Sequence, residues 1–349
     1  MSTPLKVLFQ GLGGVGQRHL RNLRLLEPEA EVAAVRHTGR RFEIGPDLAA
    51  NHGVDIVEKY GIRLYAGITE AVRAFRPDCA VVATPTSRHG ADALALVELG
   101  VPVLLEKPAC ASEAELDALL TATERTGVPV MVAYMLNFNP SVTRLRQMVR
   151  DGAVGRVYGV RMEGNSFLPS WHPYERYNAF YAGRRDLGGG AVLTEIHLCN
   201  LLHGLFGLPR RLWTVGGHLS PWDLDVEDTA TTLMEFDGPH GPVAATIDVS
   251  LVQRPIRFAV AVRGEKGRLD WSLLDNRVVL ENAADGVRES FEAPAFERNT
   301  MFVEEMRHFI ACVRTGCAPD FSLKTVAGGE RIALCMKQSL ETGQPVTVS

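Results

Sequence analysis

The sequence predicts an α/β fold in two parts, a parallel sheet covered by helices and then an open, mainly antiparallel sheet. In the first half, short apolar runs alternate with amphipathic stretches, which is typical of βαβ units. After about Asn137, longer segments alternate with period two, which indicates antiparallel strands with one covered face. The chain of 349 residues is long enough for two domains. We place their boundary between residues 135 and 136.

The first part begins with apolar or β-branched runs that predict buried strands. These runs are residues 6–10, 31–35, 79–83, 103–105 and 130–133. Amphipathic stretches between them predict helices at residues 16–26, 68–75, 89–99 and 112–126. Ser112 and Glu115 have the spacing of a capping box, which indicates where the last of these helices begins.

The second part has a different rhythm. Its alternating segments are residues 157–164, 229–236, 243–251 and 256–263. Helices are predicted before them at residues 141–151, and after them at residues 301–315 and 323–341. These patterns predict an α+β domain in which an open sheet carries helices on one side.

Charge and composition exclude several classes of protein. The net charge of −4 gives no basic field for a phosphate backbone, so we expect no nucleic-acid partner. No apolar run approaches the roughly 18 residues of a membrane span, so we expect no membrane partner. The cysteines lack C-x-x-C and zinc-ligand spacing, so we expect no metal and interpret all six as free, reduced core thiols. They are Cys79, Cys110, Cys199, Cys312, Cys317 and Cys335. A cytoplasmic protein with a small-molecule partner is the simplest interpretation.

A glycine-rich loop follows the first predicted strand. Gly11, Gly13 and Gly16 have the spacing G-x-G-x-x-G and lead directly into a predicted helix. A glycine loop between a strand and a helix directs backbone N–H groups and the helix N-terminus at a pyrophosphate. The alternative is a glycine-rich βα turn that packs tightly and binds no ligand. We expect the whole loop to bind a dinucleotide, through Gly11, Leu12, Gly13, Gly14, Val15 and Gly16.

The end of the second strand bears on which dinucleotide is bound. Loops that bind NAD usually carry an acidic residue about 20 residues after the glycines, where it contacts the ribose 2′-hydroxyl. Here the corresponding segment is basic and contains Arg36, His37, Arg40 and Arg41. Arginines can neutralise a 2′-phosphate, so the sequence favours NADP(H) over NAD(H). A solvated basic loop is the alternative, and it leaves NAD(H) open.

Three further motifs follow in order. Residues 83–89 are Ala-Thr-Pro-Thr-Ser-Arg-His, residues 106–108 are Glu-Lys-Pro, and residues 188–190 are glycines that lead to His197. Together with the glycine loop, they resemble the glucose-fructose oxidoreductase / inositol dehydrogenase (Gfo/Idh/MocA-like) family over nearly the whole chain. The Glu-Lys-Pro tripeptide, at its distance from the glycine loop, is the most specific element.

The resemblance implies a Rossmann domain at residues 1–135 and, at residues 136–349, an α+β domain for substrate binding and oligomerisation. It implies a nicotinamide-dependent oxidoreductase of carbohydrate metabolism that forms a homodimer or homotetramer. It also implies cofactor contacts outside the glycine loop, from Thr84, Pro85, Thr86, His89, Glu106 and Lys107.

Lys107 is the first of two candidate catalytic residues. It is expected at the carboxyl end of a parallel strand, the edge at which open α/β sheets bind ligands. An ammonium group there can hydrogen-bond a reacting hydroxyl and stabilise negative charge that develops on its oxygen. The resemblance implies an active-site lysine at this position, and the alternative is an exposed loop lysine.

His197 is the second candidate, and it lies in a stretch that follows three glycines and is predicted to be helical. An imidazole can take the hydroxyl proton as hydride leaves the carbon, or return it; a packed or solvated histidine is the alternative. Many relatives have an aspartate one helical turn earlier, where this chain has Thr194. Glu195 is adjacent but points about 100° away on a helix. Thr194 and Glu195 are therefore the candidates for a proton relay.

The segment 165–177 is rich in aromatic side chains and polar groups, which suit polyhydroxylated ligands. Similar Leu-Pro-x-Trp loops occur in family members associated with surface-polysaccharide and nucleotide-sugar metabolism, and the alternative is a subunit or domain interface. Later arginines could hold a carboxylate or phosphate of the substrate. The acids Glu227 and Asp228 are expected to be solvated. The candidate substrate residues are Tyr134, Asn137, Asn165, Trp171, Tyr177, Arg184, Arg185 and Asn200.

The function predicted from these residues is reversible hydride transfer between a nicotinamide and a secondary hydroxyl or ketone of a sugar, nucleotide-sugar or cyclitol. Lys107 would polarise the oxygen and His197 would move the proton. One alternative is an enzyme that retains NAD and oxidises its substrate only transiently, as an epimerase, lyase or glycosidase. Another is a non-catalytic protein that senses a dinucleotide.

Overall fold

The computed structural model describes residues 3–36, 40–238, 241–282, 288–293 and 296–348. The chain divides into two compact units. The first unit comprises Met1–Tyr134, His172–Arg176 and Phe302–Thr325. The second unit comprises Met135–Trp171, Tyr177–Met301 and Val326–Ser349.

The first unit contains a parallel sheet, with strand order β5-β2-β1-β6-β7-β8, and a separate antiparallel pair of β3 and β4. Its strands are β1 (Lys6–Gln10), β2 (Glu31–Val35), β3 (Phe42–Ile44), β4 (Ala50–Asp55), β5 (Arg63–Tyr65), β6 (Cys79–Val82), β7 (Val103–Glu106) and β8 (Val130–Ala133). Its helices between these strands are α1 (Gly14–Leu26), α2 (Ile56–Tyr60), α3 (Ile68–Phe75), α4 (Thr86–Glu98) and α5 (Glu113–Thr126).

The strand order reverses between β1 and β6, so their carboxyl ends flank the crevice in which open α/β sheets bind ligands. Every residue of β6, β7 and β8 is buried, as expected for strands covered on both faces. The predicted helix start at Ser112 is confirmed, because its hydroxyl accepts from the backbone N–H of Glu115 at 3.3 Å. The Glu115 carboxylate accepts from the backbone N–H of Ala111 at 3.0 Å, one residue before the position that a capping box uses. Helix α4 begins at Thr86, before the predicted residue 89, because Pro85 is extended and already serves as its N-cap residue.

Two later segments extend the first unit beyond the predicted boundary at residue 135. Phe321 accepts a backbone hydrogen bond from Val132 of β8 at 3.1 Å. Arg314 forms an ion pair with Glu27 at 2.7 Å. Both contacts lie within the first unit, so this unit is completed by residues far along the chain.

The second unit contains a mixed sheet in which β9 and β12 are parallel and the other paired neighbours are antiparallel. The predicted mainly antiparallel sheet is therefore confirmed. Its strands are β9 (Val157–Phe167), β10 (Arg211–Gly217), β11 (Thr229–Gly238), β12 (Gly241–Ser250), β13 (Val252–Gly264), β14 (Gly267–Ser272), β15 (Arg277–Asn282), β16 (Arg288–Glu292) and β17 (Val346–Thr347). The remaining α-helices among the described residues are α6 (Pro140–Arg150), α7 (Ala191–Thr194), α8 (His197–Phe206), α9 (Arg298–Thr315) and α10 (Leu323–Thr342).

One face of this sheet carries exposed apolar side chains. Trp213 of β10 is 47% exposed and lies directly opposite Leu233 of β11, which is 55% exposed. Val215, on the same face of β10, is 49% exposed. The alternate residues Leu212 and Met234 are buried. Within the described ranges, none of the helices has the length and apolar character needed to cross a membrane.

Candidate functional site

The glycine loop leaves β1 at the point where the strand order reverses. Gly11 has φ +93°, and a Cβ there would lie 2.7 Å from the carbonyl oxygen of Ala83. A Cβ on Gly16 would lie 2.6 Å from the carbonyl oxygen of Gly11. Gly13 is the N-cap residue of α1, and no described atom lies within 4 Å of a Cβ built on it. Gly11 and Gly16 therefore permit close packing, whereas Gly13 leaves open space at the helix N-terminus.

The first turn of α1 fits the pyrophosphate of a dinucleotide. No side chain among the described residues caps this turn, so its backbone N–H groups are available to an anion. The Tyr174 hydroxyl lies 2.8 Å from a Cβ built on Gly14. Burial, with the charge of Glu175, raises the pKa of Tyr174 to about 12, so its hydroxyl stays protonated. Tyr174 was missed from the sequence because it comes from a segment about 160 residues away along the chain.

The loop after β6 lies beside the glycine loop. The backbone N of Thr84 is 3.1 Å from a Cβ built on Gly11. The Thr84 hydroxyl donates to Asp92 at 3.0 Å, and Arg88 pairs with the same carboxylate at 3.1 Å. Thr86 is 1% exposed. This loop is therefore held rigidly against the first residues of α4.

The Glu106-Lys107-Pro108 turn follows β7. The Glu106 carboxylate lies 2.8 Å from Nε2 of His19 and accepts from the backbone N–H of Lys107 at 3.2 Å. Burial alone would raise the pKa of Glu106, but the His19 hydrogen bond and the nearby positive charges offset burial and lower it. The ionised carboxylate thus orients the backbone at Lys107, whose side chain is half-buried.

His89 connects the loops that follow β6 and β7. Its Nδ1 lies 2.7 Å from the carbonyl oxygen of Pro108, and its Nε2 lies 2.7 Å from the carbonyl oxygen of Thr84. The ring is 2% exposed, and burial lowers its pKa. The lowered pKa favours the neutral ring, which has one N–H donor, so His89 donates to one of these two carbonyl oxygens at a time. A cofactor contact from this ring stays a prediction.

Two of the three predicted phosphate-binding arginines have carboxylate partners. Arg40 forms a two-pronged pair with Glu175, with N···O distances of 3.0 and 2.7 Å. Arg41 lies 2.5 Å from Asp55. Burial, and then the charge of Arg41, lowers the pKa of Arg36. His37 lies outside the described residues.

Glu305 of α9 is a buried acid in the first unit. Its side chain is 0% exposed, and neither carboxyl oxygen has a hydrogen-bond partner within the described ranges. Burial, with the charge of Glu106, raises its pKa well above the ordinary value. Sequence reasoning missed this acid, because Glu304 and Glu305 together resemble a solvated helix face.

In the second unit, His197 is the first residue of α8 and is 7% exposed. The expected continuous helix through Thr194 and His197 is wrong, because α7 ends at Thr194 and the chain leaves the helix at Glu195, with φ −95° and ψ 23°. The Glu195 carboxylate accepts from the Ser166 hydroxyl at 2.9 Å. Glu195 is thus attached to β9, while Thr194 lies on a separate short helix from His197.

Two of the three glycines before α7 are explained by packing inside the second unit. A Cβ on Gly189 would overlap the carbonyl oxygens of Tyr181 and Ala182. Gly190 has φ +110°, and a Cβ there would overlap the Glu227 carboxylate. Packing inside the second unit therefore requires glycine at positions 189 and 190.

The expectation that Glu227 and Asp228 are solvated is wrong. The Glu227 side chain is 10% exposed, and burial raises its pKa although Lys337 lies 3.8 Å away. Asp228 is 0% exposed and accepts from the Ser220 hydroxyl at 2.6 Å. The connection from β10 to β11 covers Asp228, which also accepts from the backbone N–H of Leu219 at 3.1 Å. Glu227 instead packs against the start of α7, where it accepts from the backbone N–H of Val192 at 3.4 Å.

Two predicted substrate residues, Asn137 and Asn200, are brought together in the second unit. Asn137 donates through Nδ2 to Oδ1 of Asn200 at 3.3 Å, and its own Oδ1 accepts from Arg146 at 2.5 Å. Asn200 follows His197 by three residues on α8. Burial, with the charge of Arg150, lowers the pKa of Arg146 to about 10. Arg146 was not predicted, because an arginine in an amphipathic helix usually faces solvent.

The remaining substrate candidates have separate environments. Asn165 is 4% exposed and donates to Asp248 at 3.3 Å. Tyr134 is 1% exposed and belongs to the first unit. Trp171 packs edge-on against Phe180, with ring centroids 6.4 Å apart.

Tyr177 and the two arginines have local partners in the second unit. The Tyr177 ring packs at 89° against Trp222. Arg184 pairs with Asp186 at 2.5 Å. Arg185 donates to the backbone oxygen of Asp225 at 3.1 Å. Their roles toward a substrate stay predictions.

The prediction of core thiols holds for part of the set. The buried cysteines are Cys79, Cys110, Cys199 and Cys312. Cys335 is half-buried, and Cys317 is exposed. The prediction is wrong for Cys317, because the chain turns outward after α9 instead of continuing into the core.

Comparison with known proteins assigns both parts of the chain. Residues 5–134 match the oxidoreductase family with an NAD-binding Rossmann fold, and residues 142–270 match the GFO/IDH/MocA C-terminal domain. D-apiose dehydrogenase from Paraburkholderia graminis is 28% identical over 322 residues, which cover 84% of this chain and 82% of the relative. The scyllo-inositol 2-dehydrogenase (NAD(+)) of Bacillus subtilis is 27% identical over 361 residues, with coverages of 99% and 97%.

Solved structures show the same fold. The WlbA dehydrogenase from Bordetella pertussis, in complex with NADH and UDP-GlcNAcA, has a TM-score of 0.79 at 19% identity, with 99% of each chain covered. The myo-inositol 2-dehydrogenase from Lactobacillus plantarum has a TM-score of 0.79 at 20% identity, with coverages of 99% and 100%. The Rossmann unit, the mostly antiparallel sheet unit and the two family matches agree, and the chain belongs to the GFO/IDH/MocA family of oxidoreductases.

Proposed function

We propose that this oxidoreductase transfers a hydride between a nicotinamide dinucleotide and a secondary hydroxyl or ketone of a sugar, nucleotide-sugar or cyclitol. One observation carries the proposal. The carboxyl ends of the neighbouring strands β1, β6 and β7 bear the open Gly13 turn, the Thr84 loop and Lys107. A parallel sheet thus presents a dinucleotide-binding turn and a cation along one edge.

The described residues fit a nicotinamide dinucleotide. The first turn of α1 would hold the pyrophosphate, with Tyr174 as an added hydroxyl donor beside Gly14. The loop from Thr84 to Thr86 would line the adjoining edge. When bound, the cofactor supplies the hydride acceptor or donor.

Lys107 and His197 have distinct roles in the proposed reaction. The Lys107 ammonium group hydrogen-bonds the substrate oxygen and stabilises the negative charge that grows on it. A ring nitrogen of His197 takes the hydroxyl proton during oxidation and returns it during reduction. Glu106 and His89 act indirectly, because they hold the backbone of the Lys107–Pro108 turn.

For the cofactor we propose NADP(H), with NAD(H) as the weaker ligand. The basic segment has three arginines, Arg36, Arg40 and Arg41, and two carboxylate partners, Glu175 and Asp55. These five side chains keep a net positive charge, which favours a 2′-phosphate. Arg40 and Arg41 are already engaged, so Arg36 is the principal phosphate ligand.

The substrate class is supported by two features of different kinds. D-apiose dehydrogenase and scyllo-inositol 2-dehydrogenase are named for a sugar and a cyclitol. In the second unit, the Asn137 amide is hydrogen-bonded to the amide of Asn200 on α8. Amides can both donate to and accept from hydroxyl groups, which suits recognition of a polyhydroxylated substrate.

We also propose that the protein is a cytoplasmic homo-oligomer that associates through the sheet face bearing Trp213, Val215 and Leu233. Exposed apolar side chains grouped in this way usually mark an interface. Light scattering on the wild type and Leu233→Asp tests this part, with Leu274→Asp as the control at another exposed leucine. A monomeric wild type would contradict it.

The activity itself is tested by turnover of a sugar, cyclitol and nucleotide-sugar panel, followed by nicotinamide absorbance with each dinucleotide. We expect net oxidation or reduction with at least one class. A substrate that is consumed without any net change in nicotinamide absorbance, by protein that retains its cofactor through purification, would contradict net hydride transfer and support transient oxidation instead.

A further inference from the structure

Two cysteines meet at the C-terminal end of α9, in the first unit. The helix ends at Thr315, and Gly316 has φ +71° and donates its backbone N–H to the carbonyl oxygen of Cys312 at 2.8 Å. A left-handed glycine at this position turns the chain back over the last helical turn. The thiols of Cys312 and Cys317 are consequently in hydrogen-bonding contact.

The two thiols differ in accessibility and acidity. Cys317 is exposed, and hydrogen bonds from Thr315 and Cys312 lower its pKa. Cys312 is 4% exposed, and burial, with its contact to Cys317, raises its pKa to about 12. Since the thiolate is the nucleophile, Cys317 is the attacking residue of the pair.

An imidazole lies next to the buried thiol. Nε2 of His308 is 3.8 Å from Sγ of Cys312, one helical turn earlier on α9. The same nitrogen accepts from the backbone N–H of Asp320 at 3.1 Å. The backbone N–H of Asp320 thus occupies the lone pair of Nε2 and fixes the His308 ring beside the Cys312 thiol.

Cys317 also lines a cavity of about 310 Å³ in the first unit. The cavity lies between the end of α5, the start of β8 and the turn after α9. Its walls include Val128, Pro129, Pro319 and Leu323, and an ion pair joins Lys324 to Glu124 at 3.2 Å. This volume is within the range of small-molecule sites, so a small reagent can reach the exposed thiol.

We propose that Cys312 and Cys317 form a redox-active dithiol that reacts with low-molecular-weight disulfides such as oxidised glutathione. The Cys317 thiolate attacks one sulfur of the disulfide, breaks its S–S bond and releases one thiol, which leaves a mixed disulfide on Cys317. Cys312 then attacks the Cys317 sulfur and breaks the mixed disulfide, and its proton passes to the departing thiolate, which leaves as the second thiol. The protein loses two electrons and two protons, and the small disulfide is reduced to two thiols.

This modification site is independent of the hydride-transfer proposal. The turn that it would close leads to Phe321, which pairs with Val132 of β8. Oxidation would therefore covalently attach this turn to α9 and restrict the segment that supports the edge of the parallel sheet.

The positions of basic residues allow a direct test with the full-length protein. Trypsin cleaves after Arg307, Arg314 and Lys324, so Cys312 and Cys317 fall in separate peptides. After treatment with oxidised glutathione and alkylation, we expect these peptides to be joined by a disulfide that reduction breaks. We expect the pair to react about tenfold or more faster than Cys335.

Variants separate the two steps. Cys312→Ser should accumulate a stable mixed disulfide on Cys317, whereas Cys317→Ser should leave Cys312 unmodified. Cys335→Ser is the control and should react like the wild type. Separate, alkylated peptides in the oxidised wild type, or a Cys312→Ser variant whose Cys317 resists glutathionylation, would overturn the proposal.

Discussion

The Arg146 guanidinium donates to Oδ1 of Asn137 across 2.5 Å, and this contact sets the orientation of two amides. Arginine can only donate, so the Asn137 oxygen must face it. The Asn137 NH₂ group then faces Oδ1 of Asn200 at 3.3 Å. The Asn200 NH₂ group is thereby left as the donor end of the chain, one helical turn after His197 on α8.

This polarity predicts the behaviour of Asn137→Asp. The carboxylate keeps the contact with Arg146 but presents an oxygen to the Asn200 oxygen, so the Asn200 amide should reorient. We expect KM for the substrate to rise about tenfold, the cost of roughly one hydrogen bond, with a smaller change in kcat. Steady-state kinetics measure this, and circular dichroism checks the fold.

Arg146 should show a matching dependence. Arg146→Lys retains a hydrogen-bond donor, so its KM should be lower than that of Arg146→Met. The control is Arg150→Met, at the exposed end of the same helix, and it should have the KM of the wild type. Equal KM values for the wild type, Asn137→Asp and Arg146→Met would show that the amide chain has no part in substrate binding.

Gly13 offers a test of cofactor binding that does not depend on stability. Because no described atom lies within 4 Å of a Cβ built on this residue, Gly13→Ala should fold normally but place a methyl group where the pyrophosphate approaches the backbone. We expect cofactor affinity to fall about tenfold or more. Calorimetric titration measures the affinity.

The matched control is Gly67→Ala, since Gly67 is also a helix N-cap residue with open space at Cβ. It should bind the cofactor like the wild type. Wild-type affinity in Gly13→Ala would place the dinucleotide elsewhere.

The proposed role of Arg36 predicts a change in cofactor choice. Arg36→Ala should weaken NADP(H) about tenfold, the loss of one charged phosphate contact, and leave NAD(H) within about twofold. Titration of both dinucleotides decides the question. A wild type that prefers NAD(H) by about tenfold or more would refute this role.

Glu305 predicts a pH-dependent stability. The pKa of Glu305 is raised in the folded protein. The contribution of this carboxyl to the free energy of unfolding is therefore complete below its ordinary pKa of 4.5, and it is lost as the pH rises toward the pKa of the folded state. Glu305→Gln removes this loss. The difference in free energy of unfolding between the variant and the wild type should therefore increase, in favour of the variant, by up to about 1.4 kcal/mol for each unit of rising pH.

Urea unfolding at about pH 5 and about pH 7 measures this gain. Glu304→Gln is the control, because Glu304 is exposed and pairs with Arg307. A Glu305→Gln variant whose advantage does not grow with pH would mean that the wild-type carboxyl is ionised in the folded state.

Much of the fold could be predicted from local pattern. The βα rhythm of the first half and the period-two alternation of the second both follow from burial on one or two faces. The short strands β3 and β4 were not predicted, because residues 42–55 mix charged, glycine and apolar positions without periodicity.

The sequence predicts contiguous motifs of the site well, and it names Asn137 and Asn200 without predicting that they pair. The glycine loop and the Glu106-Lys107-Pro108 turn are such motifs. Arg146, Asn137 and Asn200 come together across up to 63 residues of sequence, and Tyr174 reaches Gly14 from an irregular segment. Glu305 cannot be distinguished from Glu304 by sequence, because only tertiary packing buries one of them.

The proposed hydride transfer is tested most sharply by its single-turnover rate in Lys107→Met, with cofactor affinity measured in parallel. Loss of the group that stabilises the substrate oxygen should lower the rate by about 10²- to 10³-fold. Cofactor affinity should stay within about twofold of the wild-type value. The control variant, Lys266→Met at an exposed turn, should transfer hydride at the wild-type rate. A Lys107→Met enzyme that transfers hydride within about twofold of the wild-type rate would contradict the catalytic role of Lys107.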